Sequence, residues 1–162
     1  MIIIEGIDGV GKTTVSAALE NIGYEVHHLK YDEKNEQGFM SLLKSDKGNL
    51  VLDRGFITEV VYGPVLRKYS RINDEALRRL VSEYGNCKTK IIYLTALKED
   101  LLKRRRKDIE DYKMLLDYYD ELNTKYEEKM SAIDSLIPIL RINTSSDGIE
   151  ETQNKVRKFI RS

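Results

Sequence analysis

Ile2-Ile3-Ile4-Glu5-Gly6-Ile7-Asp8-Gly9-Val10-Gly11-Lys12-Thr13-Thr14-Val15 joins three branched apolar residues to a glycine-rich turn and then to an amphipathic segment. Residues 6–13 match G-x-x-x-x-G-K-S/T at every fixed position, with a predicted strand before and a predicted helix after, as this pattern requires. Glycines let the backbone turn tightly and aim several N–H groups at one point. The start of the following helix adds the positive end of its dipole. Such a loop cradles the phosphates of a nucleoside triphosphate, here with Gly6, Asp8, Gly9, Val10, Gly11, Lys12, Thr13 and Thr14 as the expected contacts. Lys12 is expected to reach the β- and γ-phosphates, and the Thr13 hydroxyl suits Mg²⁺, a hard cation that prefers oxygen ligands. As a charge on a solvated loop, Lys12 is expected to add little to stability.

Outward from this loop, short apolar runs alternate with helical patterns. Tyr24 to Leu29, Leu50-Val51-Leu52, Ile91-Ile92-Tyr93-Leu94 and Ile137 to Ile142 read as further strands. Several are continuously apolar, as strands covered on both faces are. Lys12 to Asn21, Asn73 to Tyr84, Tyr112 to Met130 and Ile149 to Ile160 carry apolar residues at three- and four-residue steps, with Asn73 or Asp74 as a cap. The alternation predicts an α/β fold in three layers, a mainly parallel five-stranded sheet with helices on both faces. The 162 residues suit one domain, without repeat, low-complexity tract or linker.

Lys+Arg and Asp+Glu both number 27. The zero net charge argues against a general grip on nucleic acid or an anionic membrane. No apolar run approaches the roughly 20 residues of a membrane span. No basic segment precedes the first apolar residues, so no signal peptide is expected and the chain is expected to be cytoplasmic. The single cysteine, Cys87, excludes an internal disulfide and a Cys-rich zinc site.

A nucleotide loop does not fix the reaction. GTPases need a guanine-reading Asn-Lys-x-Asp, which is absent, and large remodelling ATPases need more chain; small phosphoryl-transfer kinases fit the length. The variable loop positions Ile7, Asp8, Gly9 and Val10 carry no cation, so charge stabilisation of a moving phosphoryl group must come from elsewhere. Lys103-Arg104-Arg105-Arg106-Lys107 supplies candidates. Consecutive helical residues lie ~100° apart, so the three arginines do not all point inward.

Glu5 to Thr14 resembles the opening of thymidylate kinases, and Asp53-Arg54 after the third predicted strand is similar to the Asp-Arg pair of that family. Asp53-Arg54-Gly55-Phe56-Ile57-Thr58-Glu59-Val60-Val61-Tyr62-Gly63-Pro64 is more similar to the compact, phage-type members of the thymidylate kinase and deoxynucleoside kinase group. The basic run resembles a short arginine-bearing lid over residues 100–112. The segment 31–49 is shorter than the acceptor-binding segment usual in thymidylate kinases, and Lys30-Tyr31-Asp32-Glu33-Lys34 stands where they carry an Arg-Glu-Pro-Gly-like sequence.

The resemblance implies a P-loop NTPase fold and roles position by position. Lys12 and Thr13 serve the ATP phosphates and Mg²⁺, Asp8 faces the acceptor sugar, and Asp53 sits in the Mg²⁺ water shell. Arg54 holds the acceptor phosphate, a task that suits a bidentate guanidinium. Arg104, Arg105 and Arg106 are the candidates for the transition state. Phe39, Tyr62 and Arg67 read either as acceptor-pocket residues or as core and surface residues. Asn143, Thr144 and Ser145 either line the adenine edge or cap the helix that follows. His27 and His28 read as strand residues without a catalytic role. The resulting expectation is ATP- and Mg²⁺-dependent transfer to a deoxynucleoside monophosphate, thymidylate-like or a 5-modified pyrimidine, with a homodimer by analogy. The rivals are a deoxynucleoside kinase using Asp32 or Glu33 as base, and a non-catalytic ATP-binding regulatory module.

Overall fold

The computed structural model describes residues 1–104, 113 and 115–162. Ile2–Glu5 (β1), Glu25–His28 (β2), Leu50–Asp53 (β3), Lys90–Thr95 (β4) and Ile139–Asn143 (β5) form one sheet in the order β2-β3-β1-β4-β5, every pair parallel. The three inner strands are the continuously apolar ones. Ile2, Ile3, Ile4, Val51, Leu52, Ile91, Ile92 and Leu94 are all buried, because helices cover both faces. Each such side chain contributes about 1.5–3 kcal/mol by leaving water. The outer strands β2 and β5 are partly exposed, and their apolar patterns are correspondingly weaker.

The helices are Lys12–Glu20 (α1), Glu36–Ser45 (α2), Phe56–Tyr62 (α3), Asp74–Asn86 (α4), Lys98–Lys103 (α5), Tyr119–Ile133 (α6) and Ile149–Arg161 (α7), with a 3₁₀ turn at Tyr31–Glu33 and a π turn at Gly63–Arg67. Asn35 and Asn73 start α2 and α4, their side-chain oxygens accepting from the Gly38 and Ala76 N–H groups at 3.0 and 2.8 Å. The expected helix over 112–130 is divided. Tyr112 lies outside the described residues, residues 115–117 are helical, and a turn at Tyr118 (φ −97°, ψ 5°) precedes α6. Leu115, Leu116, Leu122, Tyr126 and Met130 are buried, so the apolar spacing survives the break.

From β1 the chain builds β2 and β3 on one side and then β4 and β5 on the other. The order reverses beside β1, and ligands of open α/β sheets bind beyond the carboxyl ends of the strands at such a point. The loops that lead into α1, α3, α5 and α7 all leave that edge. Among the described residues, no helix is long and apolar enough to cross a membrane.

Candidate active site

The glycine-rich loop joins β1 to α1. Gly6 has φ 137°, and a Cβ there would lie 2.3 Å from the Leu94 carbonyl oxygen, so no other residue fits against β4. Gly11 caps α1 at φ 101°, and no side chain caps the helix, so its first-turn N–H groups face outward unclaimed by a side chain. Lys12 is buried rather than solvated. Its ammonium donates to the Gly6 and Ile7 carbonyls, both at 2.8 Å, and lies 3.7 Å from Asp8 Oδ1. Burial first, and the Arg54 guanidinium second, bring its pKa down to about 8. Thr13 and Thr14 are exposed at the head of α1.

Arg54 follows β3 with φ 72°, a left-handed conformation unusual for a side-chain-bearing residue. Its N–H donates to the Ile4 carbonyl at 3.0 Å, and its guanidinium pairs with Asp8 and lies 5.9 Å from the Tyr62 ring centre. Asp8 therefore stands between Lys12 and Arg54. The Tyr62 hydroxyl accepts the Asp8 N–H at 3.1 Å, so this ring supports the phosphate loop directly. Glu5 is the support that sequence reasoning missed. It is fully buried and accepts from the Gly55 N–H (3.1 Å), the Thr58 N–H (3.3 Å) and the Thr58 hydroxyl (2.5 Å). The Thr58 hydroxyl also lies 2.9 Å from the Tyr126 hydroxyl, which brings in α6. Burial pushes the Glu5 carboxyl up to about 7. Glu5 thus fastens the strand before the phosphate loop to the turn that carries Arg54.

Asp53 ends β3. Its Oδ2 lies 3.0 Å from His28 Nδ1, while its Oδ1 is buried without a partner. A buried carboxylate oxygen left without a partner, together with the exposed Thr13 hydroxyl, is a hard-oxygen donor set that fits a hydrated Mg²⁺. Among the described residues, no three His, Cys, Asp or Glu side chains form a metal-holding group on their own.

A cavity of about 650 Å³ opens over the loop, lined by Lys12, Asp53, Arg54, Arg104, Thr144 and Ile149 among others. Arg104 donates through Nη1 to the Gly9 carbonyl (3.2 Å) and to Thr144 Oγ1 (2.9 Å), and through Nη2 to the Thr144 carbonyl (2.8 Å). It ties the phosphate loop to the loop after β5. Arg105 and Arg106 lie outside the described residues. Of the adenine-edge triplet, only Thr144 lines the cavity. Asn143 and Ser145 form the turn, with Asn143 Oδ1 accepting from the Ser145 N–H (3.0 Å) and Ser145 Oγ accepting from the Leu97 N–H (2.8 Å). The capping alternative also fails, because Gly148 occupies the N-cap of α7. Ile149, exposed at the first position of α7, adds an apolar surface that the sequence had signalled only as a helix start.

Other expected residues lie elsewhere. Phe39 is fully buried, edge-on to Phe56 with centroids 5.9 Å apart, and has no face open to a base. Of its two readings, the core position is the one that the fold realises. Arg67 pairs with the buried Glu59 and lies 5.5 Å from the Tyr69 ring centre, outside the cavity lining. Glu33 accepts from the Lys30 N–H (2.7 Å) and pairs with His27 Nε2 (2.9 Å). The Lys30 N–H foremost, with His27, holds its carboxyl below the usual range. Neither Asp32 nor Glu33 lines the cavity over the phosphate loop.

No protein-family model matches the chain. It is 34% identical over 108 residues to a nucleotide-binding protein of Pseudothermotoga lettingae, across 64% of this chain and 34% of that protein; the chain thus spans about a third of that relative's length. It is 28% identical over 137 residues to the SPbeta prophage-derived protein YorR of Bacillus subtilis, across 81% of this chain and 82% of YorR. The crystal structure of YorR with phosphorylated GDP superposes with a TM-score of 0.76 at 23% identity, covering 99% and 95% of the two chains. Deoxyadenosine kinase of M. mycoides with dATP gives 0.66 at 19% identity, covering 99% of each chain. Thymidylate kinase of Candida albicans gives 0.63 at 15%, covering 99% and 90%. The fold is that of the P-loop kinases.

Proposed function

We propose that the chain is an ATP- and Mg²⁺-dependent phosphotransferase whose acceptor is a deoxynucleoside monophosphate, thymidylate-like or a 5-modified pyrimidine, giving the diphosphate and ADP. The observation that carries this reading is the placement of two cations from separate loops, Lys12 and Arg54, on either side of Asp8 at the mouth of one cavity. One cation suits the donor phosphates held by the loop amides. The other suits an acceptor phosphate, which a planar guanidinium can grip through two parallel hydrogen bonds. Both cations are paired with Asp8, and an incoming phosphate competes with that carboxylate for each.

The Thr13 hydroxyl and the Asp53 carboxylate would hold Mg²⁺ and its waters. Bound there, the ion would supply positive charge that offsets the charge of the donor phosphates. Arg104 is near enough to the Gly9 carbonyl to keep a positive charge beside the loop, and Thr144 and Ile149 offer a polar and an apolar edge for the donor's base. A monophosphate is already an anionic nucleophile and needs no base. A deoxynucleoside hydroxyl needs one, and Glu33, a candidate after β2, is engaged by His27 and the Lys30 N–H. The nucleotides bound by YorR and by the mycoplasmal deoxyadenosine kinase support a nucleotide ligand on this fold.

A coupled ADP-release assay over all deoxynucleoside monophosphates, ribonucleoside monophosphates and deoxynucleosides, with Mg²⁺ and with EDTA, tests the proposal. ADP release is expected with one or more deoxynucleoside monophosphates and only with Mg²⁺. Turnover with deoxynucleosides but not with monophosphates would refute it in favour of a nucleoside kinase. No turnover with any acceptor would favour a binding module.

A further inference from the structure

Arg54 sits in a turn that is held from β1. Its φ of 72° is a conformation that surrounding contacts must enforce. Ile4 accepts the Arg54 N–H at 3.0 Å, and Glu5 Oε1 accepts the next N–H, that of Gly55, at 3.1 Å. The packing is close, since a Cβ on Gly55 would lie 2.8 Å from Glu5 Oε1. Glu5 Oε2 accepts from the Thr58 hydroxyl at 2.5 Å. A threonine hydroxyl has one proton, and here Glu5 receives it, so the Tyr126 hydroxyl at 2.9 Å is the donor to Thr58. The bonds thus run in one direction, from Tyr126 on α6 through Thr58 on α3 to Glu5. The terminal torsion of a glutamate is broad and roughly two-fold, and a donor on Oε2 selects the orientation in which Oε1 meets Gly55.

We propose that Thr58 and Tyr126 are positioning residues for Arg54, their hydroxyls fixing the Glu5 carboxylate that holds the Arg54 turn. The inference rests on the reading of Arg54 as the grip on the acceptor phosphate. Packing accounts for neither hydroxyl. The Tyr126 ring is fully buried, stacked on Tyr93 with centroids 5.6 Å apart and edge-on to Tyr62 at 6.3 Å. A phenylalanine would fill the same space without burying a polar atom. A valine would likewise fill the place of Thr58. The Tyr126 ring also bears on the partner of Arg54. The Tyr62 ring that it supports lies 5.9 Å from the Arg54 guanidinium, and the Tyr62 hydroxyl accepts the N–H of Asp8, which pairs with Arg54. One buried side chain of α6 therefore backs both the turn of Arg54 and the residue paired with it.

The test compares wild type, Tyr126→Phe, Thr58→Val and Thr58→Ser in steady-state transfer to the monophosphate that the wild type uses best. Affinity for a non-hydrolysable ATP analogue is measured beside it by calorimetry. Tyr126→Phe and Thr58→Val are expected to lose roughly 10- to 10²-fold in kcat/KM for the acceptor, with KM raised and kcat lowered, because a misplacement of about 1 Å suffices for a loss of that size. Thr58→Ser keeps the hydroxyl and is expected to recover most of the loss. Analogue affinity is expected to be equal in all four, since the loop amides and Lys12 serve the donor phosphates. In an Arg54→Ala background, Tyr126→Phe is expected to cost no more than about 2-fold further, because residues that act through one another are not additive. Folded Tyr126→Phe and Thr58→Val proteins with wild-type KM and kcat would overturn the inference and leave the phosphotransfer reading standing. So would a Thr58→Ser protein as impaired as Thr58→Val, or losses at Tyr126 and Arg54 that add in full. A wild type that transfers to no monophosphate would overturn that reading, and the inference with it.

Discussion

Replacing Glu5 with Gln is expected to remove a pH dependence of stability that the wild type shows between pH 4.5 and about 7. The cause is burial. Glu5 is fully covered, and its carboxyl has moved from 4.5 to about 7 even though three hydrogen bonds from Gly55 and Thr58 favour its charged form. The folded state therefore holds a proton that the unfolded state has already released, so its stabilising effect is complete below pH 4.5 and is lost as the pH rises through about 7. At 1.36 kcal/mol for each pKa unit, the interval from 4.5 to about 7 corresponds to about 3 kcal/mol, most of it falling between pH 5 and 8. Glutamine has no proton to lose. Its carbonyl can still accept from the two N–H groups, but its amide nitrogen cannot accept from the Thr58 hydroxyl, a loss of about 1 kcal/mol at every pH. Urea unfolding followed by circular dichroism should thus find Glu5→Gln about 1 kcal/mol less stable near pH 4.5 and about 2 kcal/mol more stable at pH 8. Carboxyls held below their usual range, such as Asp46 and Glu33, titrate in the opposite sense and at lower pH, and they are common to both proteins. Stability curves that run parallel from pH 5 to 8 would refute the reasoning.

Lys12→Met is expected to lose at least ~10²–10³ in kcat, as removal of other preorganised donors does, without loss of the fold. Because burial lowers the Lys12 pKa to about 8, wild-type stability should rise as the pH climbs from about 8 to 10.5, and Lys12→Met should lack that rise; normal turnover by the folded variant would sink the assignment. Arg54→Ala should lower kcat/KM for the acceptor by a few kcal/mol in free-energy terms, about 1.5–3 kcal/mol for each charge-assisted bond lost, while leaving ATP-analogue affinity nearly unchanged. Arg54→Gly should be the more stable of the two Arg54 variants by about 1 kcal/mol, since φ 72° suits glycine and strains alanine; equal stabilities by thermal melting would contradict this.

The inner strands were legible because burial on both faces confines their charged residues to the strand ends and leaves an apolar run between them, and α4 because Asn73 and the stripe Ala76, Leu77, Leu80 and Val81 agree on where it starts and which way it faces. The same logic explains what was not seen. In α3, Phe56, Ile57, Glu59, Val60, Val61 and Tyr62 are all buried, so the segment has no solvent stripe and no helical period to read. Phe39 shows the complementary ambiguity. A large apolar residue between two strands fits a base pocket or a core equally well by spacing, and its burial against Phe56 and Tyr84 is settled by how α2 packs on α4.

The site divides along the same line, between chemistry carried by local backbone and chemistry carried by register. Gly6, Gly11 and Lys12 were readable because a phosphate loop is made of consecutive N–H groups, glycine torsions and one helix start, all within a single stretch of chain. Asp53 and Arg54 were singled out by their resemblance to the Asp-Arg pair of thymidylate kinases, and they stand at the end of a strand beside β1. What holds them there was not readable. Glu5 reaches Thr58 across 53 positions, and Arg104 reaches Thr144 across 40. The His28–Asp53 pair depends on an exact alignment of two strands. Side chains alternate along a strand, so sliding β2 by one residue against β3 would set His27 opposite Asp53 and turn His28 away from it. No composition or spacing separates these two histidines. Only the pairing of Val26 with Val51 and His27 with Leu52 fixes the register that delivers Nδ1 of His28 to Asp53. In this chain the groups proposed to meet phosphate are written locally, whereas the contacts that hold them in place, Glu5 to Thr58 and Arg104 to Thr144, are chosen by the way the sheet brings distant segments together.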